Sequence, residues 1–441
     1  MLLTRFRLSH AALAVGLALT LPLAARAQSL QELYDAARTY DAGFLAARAL
    51  AESADFRAAQ VESLKLPSLS AGARELYGQT QFQTQGSLDT RTTQGTLDGR
   101  FPLFNRADSA QIDQARKINE AAKADLETAE QDLIVRVAQA YFDVLASLDS
   151  LNNTRANKAA ITEQLASAKR NFEVGTATIT DSREAQARFD LATAQEIAAD
   201  NDLRNKRAAL DQTVGRTAVS PKGLAVPVLL PTSASTNSED WVTQADALHP
   251  QVRKARLALD VATLETEKAR AGRLPTVDAV GQVFLQDARG SAVQLPGRQS
   301  GGSIGVQLNW PLYTGGSVQN RIKETLSLEE KSRNDLETAR RSVALNTRVA
   351  YNGVQSLLAQ VRALEAAEAS SKLALEATQL GYKVGVRVNL DVLNAQRDLF
   401  QTQRDLARSR YDVLVGVLRL RQAAGQLAPA DIDIVNRVLA K

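Results

Sequence analysis

The chain of 441 residues contains no cysteine, which excludes disulfide staples, thiolate metal sites and a catalytic thiol, and leaves no thiol near the N-terminus to carry a lipid anchor. Histidine is nearly absent as well. Only His10 and His249 occur, too few for a histidine-built metal cluster, and His249 beside Pro250 reads as a residue opening a helix rather than as part of a Ser-His-Asp site. Aromatic residues make up 5% of the chain, and beyond the N-terminal segment no run reaches the roughly 18 consecutive apolar residues of a membrane-spanning helix. The net charge of +4 falls to about +1 once Arg5, Arg7 and Arg26 are set aside, so nucleic acid is not an expected partner. No glycine-rich phosphate loop or metal-ligand spacing is present, and the many carboxylates and lysines fall on solvated helix faces. Neither an enzyme nor a cofactor or metal is expected.

Residues 1–27 carry Arg5 and Arg7, then the apolar run AALAVGLALTL, then Pro22 and the small-residue end Ala25-Arg26-Ala27. That layout is a cleaved secretory signal, with the mature chain expected to begin at Gln28. The apolar core is too short for a transmembrane helix, so the protein is expected to be exported into a bacterial envelope.

Prolines punctuate the rest of the chain, because an interior proline removes a helix hydrogen bond and clashes with the preceding turn. The 118 residues between Pro102 and Pro221 have none, nor do the 117 between Pro311 and Pro429. Both runs carry helical seams: Leu126, Leu133, Val137, Ala140, Val144 and Leu148 in the first, and Leu336, Ala339, Val343, Ala350, Val354 and Leu357 in the second. Such spacing predicts helices packed side by side, with alanines permitting close approach.

Each run is interrupted once, by NFEVGTATITDSREAQ at 171–186 and by GYKVGVRVNLDVLNAQ at 381–396. At the common offset of 210, Val174/Val384, Gly175/Gly385, Asp181/Asp391, Ala185/Ala395 and Gln186/Gln396 are identical, and Phe172/Tyr382 keep a ring. Gly175 and Gly385 supply the left-handed backbone of a helix stop, so each copy is read as a turn between antiparallel helices. Long helices are predicted over 106–172 and 317–382, each ~100 Å at ~1.5 Å per residue. Shorter ones are predicted over 182–214, 388–424, 30–64 and 239–272. The chain thus reads as a first structural repeat (28–214), a Pro- and Ser-rich connector (215–238), a second repeat (239–425) and a C-terminal tail (426–441).

Each half also holds two strand-like segments, 67–77 and 93–103, then 275–286 and 302–312. Val277, Ala279, Val283 and Leu285 alternate with Asp278, Gln282 and Gln286, and Ile304, Val306, Leu308 and Trp310 alternate with Ser303, Gln307 and Asn309. These lengths suit tilted transmembrane strands. Four strands cannot close a barrel, and an open edge in lipid leaves backbone groups unpaired at several kcal/mol each, so several chains are expected to complete one barrel. The polar segments 78–92 and 287–301 are then read as outer hairpin loops. A four-stranded soluble sheet is the competing reading, and it lacks a conventional core to cover it.

The two turns, together with the corners Phe101-Pro102-Leu103-Phe104 and Trp310-Pro311-Leu312-Tyr313-Thr314-Gly315-Gly316, make the chain similar to the TolC family of outer-membrane efflux and secretion ducts. The resemblance covers nearly the whole mature chain. It implies a mainly α protein with membrane β: a homotrimer in which each protomer adds four strands to a 12-stranded transmembrane barrel and its helices to a long periplasmic coiled-coil tunnel. It implies an exit duct of a tripartite efflux pump or a type I secretion system, seated in outer-membrane lipid. The implied partners are a periplasmic adaptor and an inner-membrane transporter of the RND, ABC or MFS type. Both turns would lie at the inner mouth, with Thr180, Asp181, Tyr382 and Arg387 at latch positions, Asp391 in the constriction ring, and Asn394 where some relatives carry a second acidic ring. Within the sequence alone, Thr180 or Asp181 capping the next helix with Glu184 is an alternative role. A periplasmic coiled-coil adaptor or an envelope stalk is the alternative function, although neither needs the amphipathic strand pairs.

Overall fold

The computed structural model describes residues 27–82, 86–225, 227–228, 230–231, 237–290 and 296–440, so the expected signal segment, up to Arg26, lies outside the described residues. The described chain is mostly helical with one small antiparallel sheet. In chain order it runs α1 (Leu30–Tyr40), α2 (Ala42–Glu62), β1 (Ser68–Phe82), β2 (Gly86–Phe104), α3 (Arg106–Glu173) and α4 (Ile179–Val214). The same succession recurs as α5 (Ser238–Leu248), α6 (Pro250–Ala271), β3 (Thr276–Gly290), β4 (Gly297–Asn309), α7 (Ser317–Lys383) and α8 (Asn389–Ala423), and a short α9 (Ile432–Asn436) ends the chain.

The 68-residue α3 is the axis of the molecule: α2 and α6 pack along it on the sheet side, α4 and α8 toward the turns. The 67-residue α7 has the same arrangement with α5, α6 and α8. Where single helices are predicted over 30–64 and 239–272, the structure places two each, broken at Asp41 and His249. Asp41 ends α1 and caps α2, its carboxylate accepting from Phe44 N at 2.8 Å. His249 is held extended by the proline after it and caps α6, its Nδ1 accepting from Gln251 N at 3.1 Å.

The sheet has the order β1-β2-β3-β4, all antiparallel. Its register places Leu69, Leu97, Phe101, Val283, Leu285, Val306 and Leu308 on one face, and Ser70, Asp98, Arg100, Asp278, Gln282 and Gln307 on the other. The polar face is knitted by Arg100–Asp278 at 2.8 Å and Gln282–Asp98 at 2.6 Å. The apolar face is bare: Ile304 is 93% exposed and Val306 69%.

The strands run past the lengths the sequence suggests, so most of 78–92 and 287–301 is ladder rather than loop. Alternation fades there because the apolar face turns polar, with Glu75, Arg91, Asp287, Arg289 and Arg298 in register beyond Leu285, while the backbone bonds continue regardless of side chain. At the other end β4 stops at Asn309, short of 312, since Pro311 has no N–H to give a ladder.

The largest apolar core sits midway along α3, where Leu133, Val137, Tyr141, Phe142 and Leu145 meet Leu30 and Leu33 of α1, Leu210 of α4 and Leu414 and Leu418 of α8. The segment after 426, read from sequence as a tail, is folded into this core through Ile432, Val435 and Leu439, and it pairs with the connector: Ala225 N donates to Val438 O at 2.9 Å and Ala440 N to Gly223 O at 2.8 Å. Tyr141 Oη sits 2.9 Å from Lys222 O and 3.2 Å from Gln28 O, binding connector and N-terminal segment to one hydroxyl.

Within this core, Tyr411 donates to Asp149 Oδ2 at 2.6 Å while its ring stacks on Phe142 at 5.7 Å. Burial pushes the Asp149 carboxyl above its ordinary value, partly offset by the Tyr411 bond. A carboxyl raised on folding holds its proton longer in the native state, so stability falls as pH rises from the unfolded carboxylate value through the raised one. Asp149→Asn keeps an acceptor for Tyr411 and removes the charge. Its melting temperature is expected to exceed that of the native chain by about 2 °C at neutral pH, with the difference vanishing below about pH 4. A difference independent of pH in calorimetry would show that the carboxyl's ionisation has no part in it.

Candidate functional site at the paired turns

The two interruptions fold alike, bond for bond. After α3, Val174 N donates to Arg170 O and Gly175 N to Phe172 O, and Thr176 N and Ala177 N both reach back to Asn171 O at 2.8 and 3.1 Å. After α7, Val384 N donates to Leu380 O and Gly385 N to Tyr382 O, and Val386 N and Arg387 N both reach Gly381 O at 2.9 and 3.2 Å. Gly175 at φ 81° and Gly385 at φ 83° provide the left-handed step that lets the chain reverse.

The copies part at the next residue that matters. Thr178 caps α4: its Oγ1 accepts from Asp181 N at 3.2 Å, and the Asp181 carboxylate accepts from Thr178 N at 3.0 Å and from Thr178 Oγ1 at 2.7 Å, a closed capping box. The cap is thus Thr178 rather than Thr180 or Asp181, and the residue completing the box is Asp181 rather than Glu184. In the second copy the corresponding residue is Val388, which has no side-chain oxygen to offer. Asp391 is therefore released from capping and pairs with Arg387, one helical turn away, at 3.6 Å.

The sequence-predicted residues therefore separate into two groups. Arg387 and Asp391 are brought together, and Asn394 lies one turn further along α8. Thr180 is exposed on the first turn of α4, and Asp181 is occupied by its own cap, so within one chain neither is joined to Tyr382 or Arg387 among the described contacts. Tyr382 Oη instead accepts from Asn171 Nδ2 at 3.4 Å.

Three contacts join the hairpins near the turns: Asn171–Tyr382, Gln164–Asn389, and Arg188 Nη2 donating to Asn394 Oδ1 at 3.3 Å. Of these residues, Asn171, Gln164, Asn389 and Arg188 are not marked by the sequence reading. Thr178 was visible in principle, because Thr178-x-x-Asp181 before a helix has the capping-box spacing. Arg188 carries no local signal, since its partner is 206 residues away. Leu393 packs with Ile161, Ala192 and Phe189 in one cluster, which fixes the height of α4 against α8. Slightly further up, the Lys158 ammonium and Arg155 guanidinium hold the Glu196 carboxyl below its ordinary value and staple α4 to α3.

Among the described residues no group of three His, Cys, Asp or Glu side chains could hold a metal ion, and no helix is long and apolar enough to cross a membrane. What the site offers is a pair of polar helix ends with one charge pair, Arg387–Asp391, left outside the capping.

Comparison with known proteins gives a consistent set of likenesses. The sequence model of the family described as outer membrane efflux protein matches residues 16–216 and 241–426. The outer membrane protein TolC of Vibrio cholerae is 33% identical over 420 residues, covering 95% of each chain. The alkaline protease secretion protein AprF of Pseudomonas aeruginosa is 34% identical over 367 residues, covering 81% of this chain and 75% of that one. The fold matches the crystal structure of the outer membrane protein VceC from Vibrio cholerae with a TM-score of 0.74 at 19% identity, covering 90% of this chain and 96% of that one.

The unequal caps make a direct prediction. Val388→Thr restores a hydroxyl where Thr178 has one, so Asp391 is drawn into a second capping box. An N-cap side chain contributes about 0.5–2 kcal/mol, so amides of the first turn of α8 are expected to exchange with solvent roughly three- to tenfold more slowly. Exchange rates identical to the native chain would show that Val388 leaves nothing uncapped.

Proposed function

The chain belongs to the outer membrane efflux protein family, and on that premise we propose how its parts assemble into a conduit. It is an outer-membrane exit duct for efflux or type I secretion, with a helical tunnel in the periplasm. Its partners belong to such a pump or secretion system: a periplasmic adaptor and an inner-membrane transporter of the RND, ABC or MFS type. Nothing is transformed on the way through.

The observation that carries the assembly is the sheet. Four strands present a bare apolar face, a polar face closed by Arg100–Asp278, and two outer edges, on β1 and β4, with no strand neighbour among the described residues. Three copies joined edge to edge satisfy those backbone groups, put the apolar faces against lipid and enclose the polar faces in a barrel of twelve strands. A coiled-coil adaptor or stalk leaves the bare face unexplained. The recurring succession of elements, over 28–214 and 239–425, gives each protomer two helical hairpins, so six line the inner mouth; the connector lies in 215–238, and Val438, Leu439 and Ala440 of the segment 426–441 close against it.

At that mouth Thr180 and Asp181 on one hairpin and Tyr382 and Arg387 on the other are the latch, meeting across neighbouring protomers, and three Asp391 and Asn394 side chains ring the constriction. Such exposed contacts contribute roughly 0–1 kcal/mol each, which suits a closure that a partner must undo. The experiment is recovery of the protein from the outer-membrane fraction as a trimer that conducts in planar bilayers. Replacing Tyr382 by Phe together with Arg387 by Ser is expected to raise single-channel conductance severalfold, and an unchanged conductance would remove these residues from the latch.

A further inference from the structure

The polar stripe of α8 that begins at the turn runs Arg387, Asp391, Asn394 and Asp398, at helical spacings of four, three and four, while Val392, Leu393 and Gln396 between them are buried. Its charges largely cancel. Arg387 stands 3.6 Å from Asp391, and Arg397 stands 2.9 Å from Asp398. The exception comes from the other hairpin: Arg188 of α4 reaches the stripe at Asn394, with Nη2 3.3 Å from Oδ1.

That placement is built rather than accidental. The neighbouring residue on each helix, Phe189 or Leu393, belongs to the same packed cluster with Ile161 and Ala192, and Lys158 lies over the Phe189 ring at 5.5 Å. One apolar pair fixes the crossing of α4 and α8, and the adjacent polar pair fixes the guanidinium. Asn394 is neutral, so it orients this cation through its carbonyl oxygen without neutralising it. An arginine stays protonated at any pH a cell reaches, so the charge is permanent.

We propose that Arg188 is the residue that tunes the charge preference of the entrance, holding a fixed cation beside the Asp391 carboxylates and so easing the passage of anions. The proposal rests on the reading of Asp391 and Asn394 as a constriction, and it changes what that constriction selects. Per protomer the stripe carries Asp391 against Arg387, Asp398 against Arg397, and Arg188 against no acid on the stripe. Three copies around an axis add three guanidinium groups that offset the carboxylates of Asp181, Glu184 and Asp391 at the mouth, where field lines are focused by a narrow, low-dielectric wall. Anionic solutes and polypeptide segments rich in acidic side chains are the cargo class whose passage this offset eases.

The test is the reversal potential of the full mature trimer in planar bilayers under a potassium chloride gradient, for the native chain, Arg188→Gln and Arg188→Lys. The glutamine variant keeps a donor for Asn394 and loses only the charge; the lysine variant keeps the charge. In Arg188→Gln the potassium-to-chloride permeability ratio is expected to rise about threefold or more near ~0.1 M salt, and by less near ~1 M, where the screening length shrinks from ~10 Å to ~3 Å. Arg188→Lys is expected to stay close to native. A glutamine variant with the native reversal potential overturns the proposal, as does a lysine variant that shifts as far as the glutamine one, which would mark a purely structural role. A native preparation that forms no channel at all overturns the duct reading itself, whatever stands at 188.

Discussion

A sheet that is apolar on one face, polar on the other and open at both edges cannot be stable alone in either water or lipid, and that incompleteness organises everything else in the chain. In water the bare row from Leu69 to Leu308 forfeits its burial. In lipid each unpaired N–H or C=O at the edges costs several kcal/mol. Association through those edges relieves both penalties, and this is the physical argument for the barrel of three protomers proposed above. The pair Arg100–Asp278 makes the same point from the other face, because a charge pair facing lipid would be far more expensive than one facing an enclosed aqueous lumen.

The helices show how such a fragment is kept in shape. Rods of 68 and 67 residues are too long for one globular core, and the structure does not give them one. It concentrates apolar packing midway along α3, where the N-terminal segment, the connector and the C-terminal segment converge on Tyr141, and leaves smaller clusters along the rest. The rigid centre lies where three separate stretches of chain are tied together. Toward the turns the contacts between hairpins become polar and few, so the ends can move without disturbing the middle.

The two turns share a backbone and differ in their chemistry. The same backbone is used twice because the same stop, a left-handed glycine between two antiparallel helices, is needed twice. One hydroxyl then separates their chemistry: Thr178 takes Asp181 into its own cap, and Val388 leaves Asp391 to Arg387. Two chemically similar carboxylates acquire different partners from a single residue three positions earlier.

The sequence by itself determined whatever depends on a few neighbouring residues. Proline-free runs with helical seams, the two glycine turns, the alternation of Val277 to Leu285 and the lack of cysteine were all legible, because each acts within a turn of helix or a pair of strand residues. The break at Asp41 was less so, since helical patterning continues through it, whereas Pro250 already marked His249 as a helix opening. What only the tertiary structure decided is what distant segments do to one another. Strands extend beyond their apolar rows because ladder bonds are made by backbones, which have no sequence signature; the last residues fold back because Leu224 and Leu439 find each other. Arg188 meets Asn394 across 206 positions because Phe189 and Leu393 pack in one cluster beside them, and no local propensity encodes that geometry.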